Sequence, residues 1–201
     1  MLRTDIDNWL PISIKEIHQV FSNIPAFWCL AGGEALDLHM GKKSREHSDV
    51  DVVIYREQQQ ILYQSLSREW TLYKVSNKKL TPWRDGEFLE SINDVWVSKN
   101  ANSPFSFQLM FLESVNDEWV YRREKSIRVP KSRIYLKTSE GIPYLKPEIQ
   151  LLYKAGSSRM REKDFKDFQT LLPVLTEEEK DWLKLSLITQ FPEGHHWIGY
   201  L

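Results

Sequence analysis

The chain has 201 residues, a formal net charge of −1, and 41% hydrophobic and 27% charged residues. These values are typical of an ordinary globular protein with one domain and an appended lobe, and they argue against non-specific binding of nucleic acid. The single cysteine, Cys29, excludes an intrachain disulfide, and its apolar neighbours in AFWCLAG favour a buried structural thiol. The charged N-terminal sequence differs from a signal peptide, and no apolar run approaches the ~20 residues of a membrane span. We therefore expect a cytoplasmic protein without a membrane partner.

The first part of the chain predicts helices and strands in alternation. A helix is expected near residues 13–24, with Ser13 as its N-cap and an apolar residue on every turn. FWCLA then predicts a short buried strand, and EALDLHM predicts a short helix that ends at Gly41. DVDVVIY predicts a further strand, and apolar spacing predicts a helix over about residues 57–68.

Strands dominate the middle of the chain and helices its end. We predict strands at TLYKVS, VWVSK, FSFQLMFLE and EWVYRRE, followed by extended edge structure. Helices are predicted at PEIQLLYKA, REKDFKDFQTLL and TEEEKDWLKLSLITQF, the last with a capping box of Thr176 and Glu179. The sequence therefore predicts an α+β fold, a mixed β-sheet flanked by helices, with a core at residues 1–145 and a helical C-terminal lobe at residues 146–201.

Two aspartates on one predicted strand are the first sign of a functional site. Asp49 and Asp51 are two residues apart, so their side chains point to one side of the strand while Val50 and Val52 point to the other. Neighbouring carboxylates repel each other unless a cation or a proton relieves the repulsion. Mg²⁺ prefers hard oxygen ligands of this kind and is usually bound together with substrate phosphates.

A glycine pair before the aspartates adds an element suited to anions. Gly32 and Gly33 precede a helix, where backbone N–H groups can approach a phosphate closely. The following loop carries Lys42, Lys43 and Arg45, which supply positive charge for a triphosphate. Glycine turn, helix, basic loop and Asp-x-Asp strand together predict a site for a metal and a nucleotide.

The stretch AGGEALDLHMGKKSREHSDVDVVIYREQQ resembles the nucleotidyltransferase superfamily that includes DNA polymerase beta. Within it, the stretch is most similar to the aminoglycoside-2''-adenylyltransferase-like branch, which carries an Arg-x-His-x-Asp-x-Asp segment. Arg45, His47, Asp49 and Asp51 match that segment. The later stretch LKPEIQLLYKAGSSRMREKDFKDF resembles the same branch. The resemblance implies a nucleotidyltransferase fold and transfer of a nucleoside monophosphate to an acceptor hydroxyl.

The resemblance also implies cofactors and residue roles. Two Mg²⁺ ions would be bound by Asp49 and Asp51, which would be both metal ligands and catalytic residues. ATP is the nucleotide that the family usually takes. The residues expected at the nucleotide are Gly32, Gly33, Arg45 and Lys154. Independently of the resemblance, the spacing of Lys163, Asp164 and Asp167 predicts ion pairs on a helix face, each stabilising by about a few tenths of a kcal/mol.

The third carboxylate that family members usually carry is not found at the expected place. In FSFQLMFLE that place holds Gln108, which cannot take a proton. Glu113 is on the same predicted strand, where a bulge would be needed to bring it to the correct face, and we include it as a catalytic residue on that condition. Glu87 or Glu90 could instead enter from the preceding loop, or the third carboxylate is missing.

The sequence therefore predicts a Mg²⁺-dependent nucleotidyltransferase that moves AMP from ATP to a hydroxyl group of a small molecule, such as an aminoglycoside-like antibiotic or a metabolite. Its partners would be a nucleoside triphosphate and this acceptor, and no specific nucleic acid is expected. Two alternatives are a nucleotide-binding module with impaired catalysis and a protein-modifying or antitoxin-type nucleotidyltransferase. The sequence leaves the acceptor, the base and the oligomeric state open.

Overall fold

The computed structural model describes residues 2–77, 79–157 and 161–201, so the predicted motif residues 158–160 lie outside the described part. The helices are α1 (Ile14–Phe21), α2 (Gly32–Met40), α3 (Gln59–Leu66), α4 (Pro147–Ala155), α5 (Glu162–Leu171) and α6 (Glu177–Gln190). The strands are β1 (Cys29–Ala31), β2 (Asp51–Tyr55), β3 (Thr71–Ser76), β4 (Lys79–Pro82), β5 (Asp94–Ser98), β6 (Phe105–Val115), β7 (Glu118–Val120), β8 (Arg128–Pro130), β9 (Tyr135–Lys137) and β10 (Pro143–Leu145). This mixture confirms the predicted α+β class.

The ends of several helices follow from local signals in the sequence. Ser13 caps α1, and its side chain and that of Glu16 form a complete capping box. α2 ends at Gly41, whose φ of 66° lies in the left-handed region that favours glycine. Both signals were predicted, and both are confirmed. None of the helices in the described ranges combines the length and the apolar character that crossing a bilayer would require.

The chain forms two compact units that do not follow the predicted division at residue 145. The first unit contains residues 1–30 and 47–112, and the second contains residues 31–46 and 113–201. The chain therefore leaves the first unit for a short segment with α2 and then returns to it. The C-terminal helices begin at Pro147, as the sequence predicts.

A mixed sheet organises the first unit, with the strand order β4-β3-β5-β6-β2-β1. β2 pairs in parallel with β6, in a register that places Asp51 opposite Gln108 and Tyr55 opposite Leu112. The pairs β3–β4, β3–β5 and β5–β6 are antiparallel. The predicted pairing of the Asp-x-Asp strand with FSFQLMFLE is thus confirmed. β4 was not predicted, because four residues with one buried apolar side chain carry little periodic signal.

One face of this sheet forms the core of the first unit. Val52 and Ile54 of β2 and Leu109 of β6 are fully buried. Phe107 of β6 contacts Phe21 of α1, with ring centroids 5.7 Å apart. The buried faces of α1 and of the two central strands therefore pack against each other, which is the usual arrangement of an amphipathic helix on a sheet.

A register shift at the start of β6 changes the opposite face. Val97 pairs with Phe107 while Ser98 pairs with Phe105, so one extra residue of β6 is inserted between the two pairs. The shift brings Phe105 to the face of Trp96, with ring centroids 5.0 Å apart. Trp9 also packs against Trp96, at 4.8 Å between centroids. This aromatic group covers one end of the face that carries Asp51 and Gln108.

The second unit is built from helices and short strand pairs. α4 packs against α2, α5 and α6. β9 and β10 form an antiparallel pair, and β7 pairs with both β8 and the end of β6. Phe168 of α5 stacks on Trp197, with centroids 4.3 Å apart and both side chains fully buried.

Thr176 tests the structural role of the capping box on α6. Its hydroxyl accepts a hydrogen bond from the Glu179 N–H, and the Glu179 carboxylate accepts one from the Thr176 N–H. We expect Thr176→Ala to lower the free energy of unfolding by about 1 kcal/mol, because it leaves a helix N–H without its partner. Urea unfolding followed by circular dichroism measures this change.

Thr189→Ala is the matched control, because Thr189 is exposed and its hydroxyl donates to the Leu185 carbonyl of the same helix. We expect this variant to unfold at nearly the wild-type midpoint. Equal midpoints for the two variants would contradict a stabilising role of the cap.

Candidate active site

Asp49 and Asp51 lie on the same side of the chain at the start of β2. Val50 and Val52 are 3% and 0% exposed, whereas both aspartates are only partly buried. The Gln108 N–H donates to the Val50 carbonyl at 2.8 Å, so the hydrogen-bonded ladder extends to Val50. The alternation of a strand therefore turns both carboxylates away from the core, as the sequence predicts.

Gln108 contacts a carboxylate that the sequence analysis did not identify. Its Nε2 donates to Oδ1 of Asp94 at 3.1 Å. Gln108 lies opposite Asp51 on one side and opposite Trp96 on the other, and Asp94 comes two residues before Trp96 on β5. Asp51, Gln108 and Asp94 therefore share one face of the sheet. In the sequence, Asp94 is marked only as a polar residue at the start of a strand with alternating side chains. Such residues are common, so this signal does not identify it as a site residue.

The structure places Glu113 away from this face. The pairing of β2 with β6 runs without a shift from Gln108 to Leu112, so β6 is regular over this fully described stretch. Glu113, five residues after Gln108, therefore points to the opposite side of the strand and pairs with Val120 of β7. A catalytic role of Glu113 would require a bulge between Gln108 and Glu113. The regular pairing from Gln108 to Leu112 shows no bulge there.

The two loop carboxylates considered from the sequence have other surroundings. Glu87 accepts a hydrogen bond from Nζ of Lys74, and this bond lowers the pKa of Glu87. Lys74 lies opposite Val95, a fully buried residue on the core side of β5. Glu87 is therefore paired on the face that does not carry the aspartates, and Glu90 is exposed.

In the second unit, the glycine pair starts α2. Gly32 has a φ of 67°, a conformation in which a Cβ is strained, so glycine is suited to this turn. Its N–H donates to Oε1 of Gln150 at 2.7 Å. Ala31, the N-cap residue, provides no side-chain cap. The helix start therefore has the predicted form, and Gln150 binds one of its N–H groups.

Arg45 and Lys154, both expected at the nucleotide, meet at one carboxylate of the same unit. Arg45 Nε and Nη2 bind the two oxygens of Asp167 at 2.9 and 3.0 Å, and Lys154 Nζ binds its Oδ2 at 2.7 Å. Lys154 also lies 3.4 Å from Asp164, which Arg161 binds at 2.7 Å. We call these five residues the ionic cluster.

The ionic cluster corrects one expectation. Asp164 and Asp167 are 0% and 5% exposed, so they do not form exposed ion pairs on a helix face. α5 presents both side chains to Lys154 of α4, which is itself 6% exposed. Removing one partner would leave a buried charge without compensation.

Burial alone would raise the pKa of Asp167, but the hydrogen bond from Arg45 and the charge of Lys154 outweigh it and hold the pKa below its usual value. A carboxyl whose pKa is lower in the folded than in the unfolded chain stabilises the fold above the unfolded pKa of about 3.9. That contribution is lost as the pH falls through the folded pKa.

Asp167→Asn tests the ionic cluster. We expect the variant to lose about 3 kcal/mol of unfolding free energy at pH 7, because Arg45 and Lys154 lose their shared counter-ion. The difference from wild type should be constant above about pH 5 and should shrink as the pH falls further. Urea unfolding at a series of pH values measures both effects.

Glu162→Gln on the same helix is the control, because Glu162 and its partner Lys166 are both exposed. We expect almost no change in stability. A loss for Asp167→Asn no greater than that of the control would show that the ionic cluster does not stabilise α4 and α5.

Comparisons with known proteins agree with this architecture. Residues 13–88 match the family model described as Aminoglycoside-2''-adenylyltransferase. The chain is similar to a lincomycin-bound structure of the lincosamide antibiotic adenylyltransferase LnuA, with a sequence identity of 18% and a TM-score of 0.57. The match covers 84% of this chain and 99% of that chain. A comparison with curated proteins gives no match.

Two structures of ANT(2'')-Ia have the same fold. One, in complex with adenylyl-2''-tobramycin, is 10% identical, with a TM-score of 0.55 over 86% of this chain and 95% of that chain. The other, a solution structure, is 13% identical, with a TM-score of 0.58 over 94% and 97% of the two chains. The family match and the shared fold confirm the predicted resemblance: the chain has the nucleotidyltransferase fold and resembles the aminoglycoside-2''-adenylyltransferase branch of that superfamily.

Proposed function

We propose that this protein is a nucleotidyltransferase that transfers AMP from ATP to a hydroxyl group of a small molecule. The observation that carries the proposal is the partly exposed pair Asp49 and Asp51 at the start of β2, in a chain that matches this family over residues 13–88. Asp49 and Asp51 match the Asp-x-Asp segment of that family, and this match supports them as metal ligands.

The residues at this position fit Mg²⁺. Two partly exposed carboxylates on one side of a strand supply hard oxygen ligands and repel each other unless a cation is bound. We propose Asp49 and Asp51 as the ligands of two Mg²⁺ ions. When bound, Mg²⁺ neutralises phosphate charge and lowers the pKa of an acceptor hydroxyl.

In the second unit, Gly32, Gly33, Arg45 and Lys154 remain the candidates for contacts with the triphosphate. The helix start at Gly32 offers backbone N–H groups to an anion. Arg45 and Lys154 carry the positive charge, and Asp167 fixes the position of both charged ends.

The acceptor is proposed to be a small polyhydroxylated compound of the antibiotic kind. Support comes from the similar structures, one bound to lincomycin and one to adenylylated tobramycin. A nucleotide-binding module without turnover is the second candidate, and Gln108 in place of a carboxylate is the observation that favours it. A protein-modifying or antitoxin-type enzyme has no such observation in its favour.

The test of the proposed function is direct. The purified protein is incubated with Mg²⁺, each of the four nucleoside triphosphates and a panel of lincosamides, aminoglycosides and other small polyols. Mass spectrometry then detects an acceptor whose mass has increased by one nucleoside monophosphate. An adduct that forms only with Mg²⁺ supports the proposal, whereas Mg²⁺-dependent binding of ATP without any adduct would favour the module without turnover.

Asp51→Asn tests the metal and nucleotide site. We expect the affinity for ATP in the presence of Mg²⁺ to fall by about tenfold or more, because an amide is a weaker ligand than a carboxylate. The affinity for ATP without the metal should change little. Isothermal titration calorimetry measures both.

Asp181→Asn is the matched control, because Asp181 is an exposed residue of α6. We expect it to bind ATP like the wild type. If wild type and Asp51→Asn both bind ATP equally well with and without Mg²⁺, the proposed metal site is wrong.

A further inference from the structure

We propose that Asp94 supplies the third carboxylate of the transfer reaction and that Gln108 holds it in position. The inference rests on the proposed function and concerns the same face of the first unit. Gln108 occupies the position where a third carboxylate is expected. In this proposal the third carboxylate is not missing but lies on β5, the strand next to the one that carries Gln108.

The register of three strands supports this assignment. Asp51 of β2 lies opposite Gln108 of β6, which lies opposite Trp96 of β5. Asp94 is on the same face as Trp96, two residues earlier, and the 3.1 Å hydrogen bond from Gln108 Nε2 joins it to this row. The hydrogen bond from Gln108 fixes the orientation of the Asp94 carboxylate, and a base needs a fixed position within reach of the proton that it removes.

A buried arginine fixes the segment that leads into Asp94. Arg56, which follows β2 directly and is 9% exposed, donates through Nη1 to the carbonyls of Leu89 and Ile92, at 2.7 Å each. Its Nη2 donates to Oδ1 of Asn93 at 2.8 Å. The strand that carries Asp51 thus anchors the residue before Asp94, and such second contacts are what hold a catalytic side chain in place.

Access to solvent distinguishes this carboxylate from a structural one. Asp94, Gln108 and Asp51 are all partly exposed, whereas Val95 and Val97 on the other face of β5 are fully buried. The aromatic group of Trp9, Trp96 and Phe105 covers a neighbouring part of the face and leaves these polar side chains in contact with solvent. An acceptor hydroxyl can therefore reach them.

The chemical step is the removal of the acceptor's proton. The Asp94 carboxylate takes the hydroxyl proton as the acceptor oxygen attacks the α-phosphorus of the nucleoside triphosphate. A new O–P bond forms, the bond from the α-phosphorus to the bridging oxygen breaks, and pyrophosphate leaves with that electron pair. Asp94 then returns the proton to solvent, and Gln108 keeps its amide N–H on the carboxylate throughout.

The experiment measures transfer rates with the acceptor and nucleotide found in the panel. We expect Asp94→Asn to lower the rate by about 10²–10⁴-fold, while the affinity for ATP with Mg²⁺ stays within about twofold. Adding Gln108→Asp to Asp94→Asn should restore the rate by at least about tenfold, because it returns a carboxylate to the row beside Asp51. Asp85→Asn, in an exposed turn, is the control and should keep the wild-type rate.

Each outcome decides the assignment. A wild-type rate for Asp94→Asn would overturn it, and so would a loss of rate that Gln108→Asp does not restore. Should Asp94→Asn fail to fold, Gln108→Ala decides: a fall of about tenfold in rate with unchanged ATP affinity supports the positioning role, and an unchanged rate overturns it. If the wild-type protein shows neither transfer nor Mg²⁺-dependent binding of ATP, both the proposed function and this inference are wrong. If the wild type is active and Asp94→Asn keeps the wild-type rate, only this inference is wrong.

Discussion

The parallel pairing of β2 with β6 is the constraint on which the arrangement of the first unit depends. It places Asp51 opposite Gln108 and so decides which side chains share the face of the sheet that carries the aspartates. Because side chains alternate along a strand, a slip of one residue would exchange the faces of Asp51 and Val52 and turn Asp51 toward the core. The buried Val52, Ile54 and Leu109 make that slip costly, so the hydrophobic core holds the carboxylates in place.

In each unit, a buried charged side chain forms hydrogen bonds or ion pairs that fix neighbouring polar groups in position. Arg56 satisfies the carbonyls before β5 in the first unit, and Asp167 binds both Arg45 and Lys154 in the second. Burying such groups is unfavourable unless they are fully paired, so these contacts define positions more sharply than apolar packing does. In the first unit such a group binds the residue before Asp94, and in the second unit it binds Arg45 and Lys154.

The sequence predicted well where the signal is local. The N-cap at Ser13, the capping box at Thr176 and the helix end at Gly41 depend on residues only a few positions apart, and all three are found. Asp49 and Asp51 were identified for the same reason, since alternation within one strand fixes their common side. The burial of Asp167 between Arg45 and Lys154 was not predicted. A carboxylate on a helix rich in charged residues is expected at the surface unless its distant partners are known.

By itself, the sequence determined the helices and most of the longer strands, the Asp-x-Asp strand, the glycine turn and the family resemblance. These features depend on contacts along the chain, where spacing and residue type suffice. Only the tertiary structure decided that Gln108 binds Asp94, 14 residues away, and that Arg45 binds Asp167, 122 residues away. Such pairs depend on strand register and on the packing of helices. Register and packing are set by the burial of the whole core and not by residues that are neighbours in the sequence.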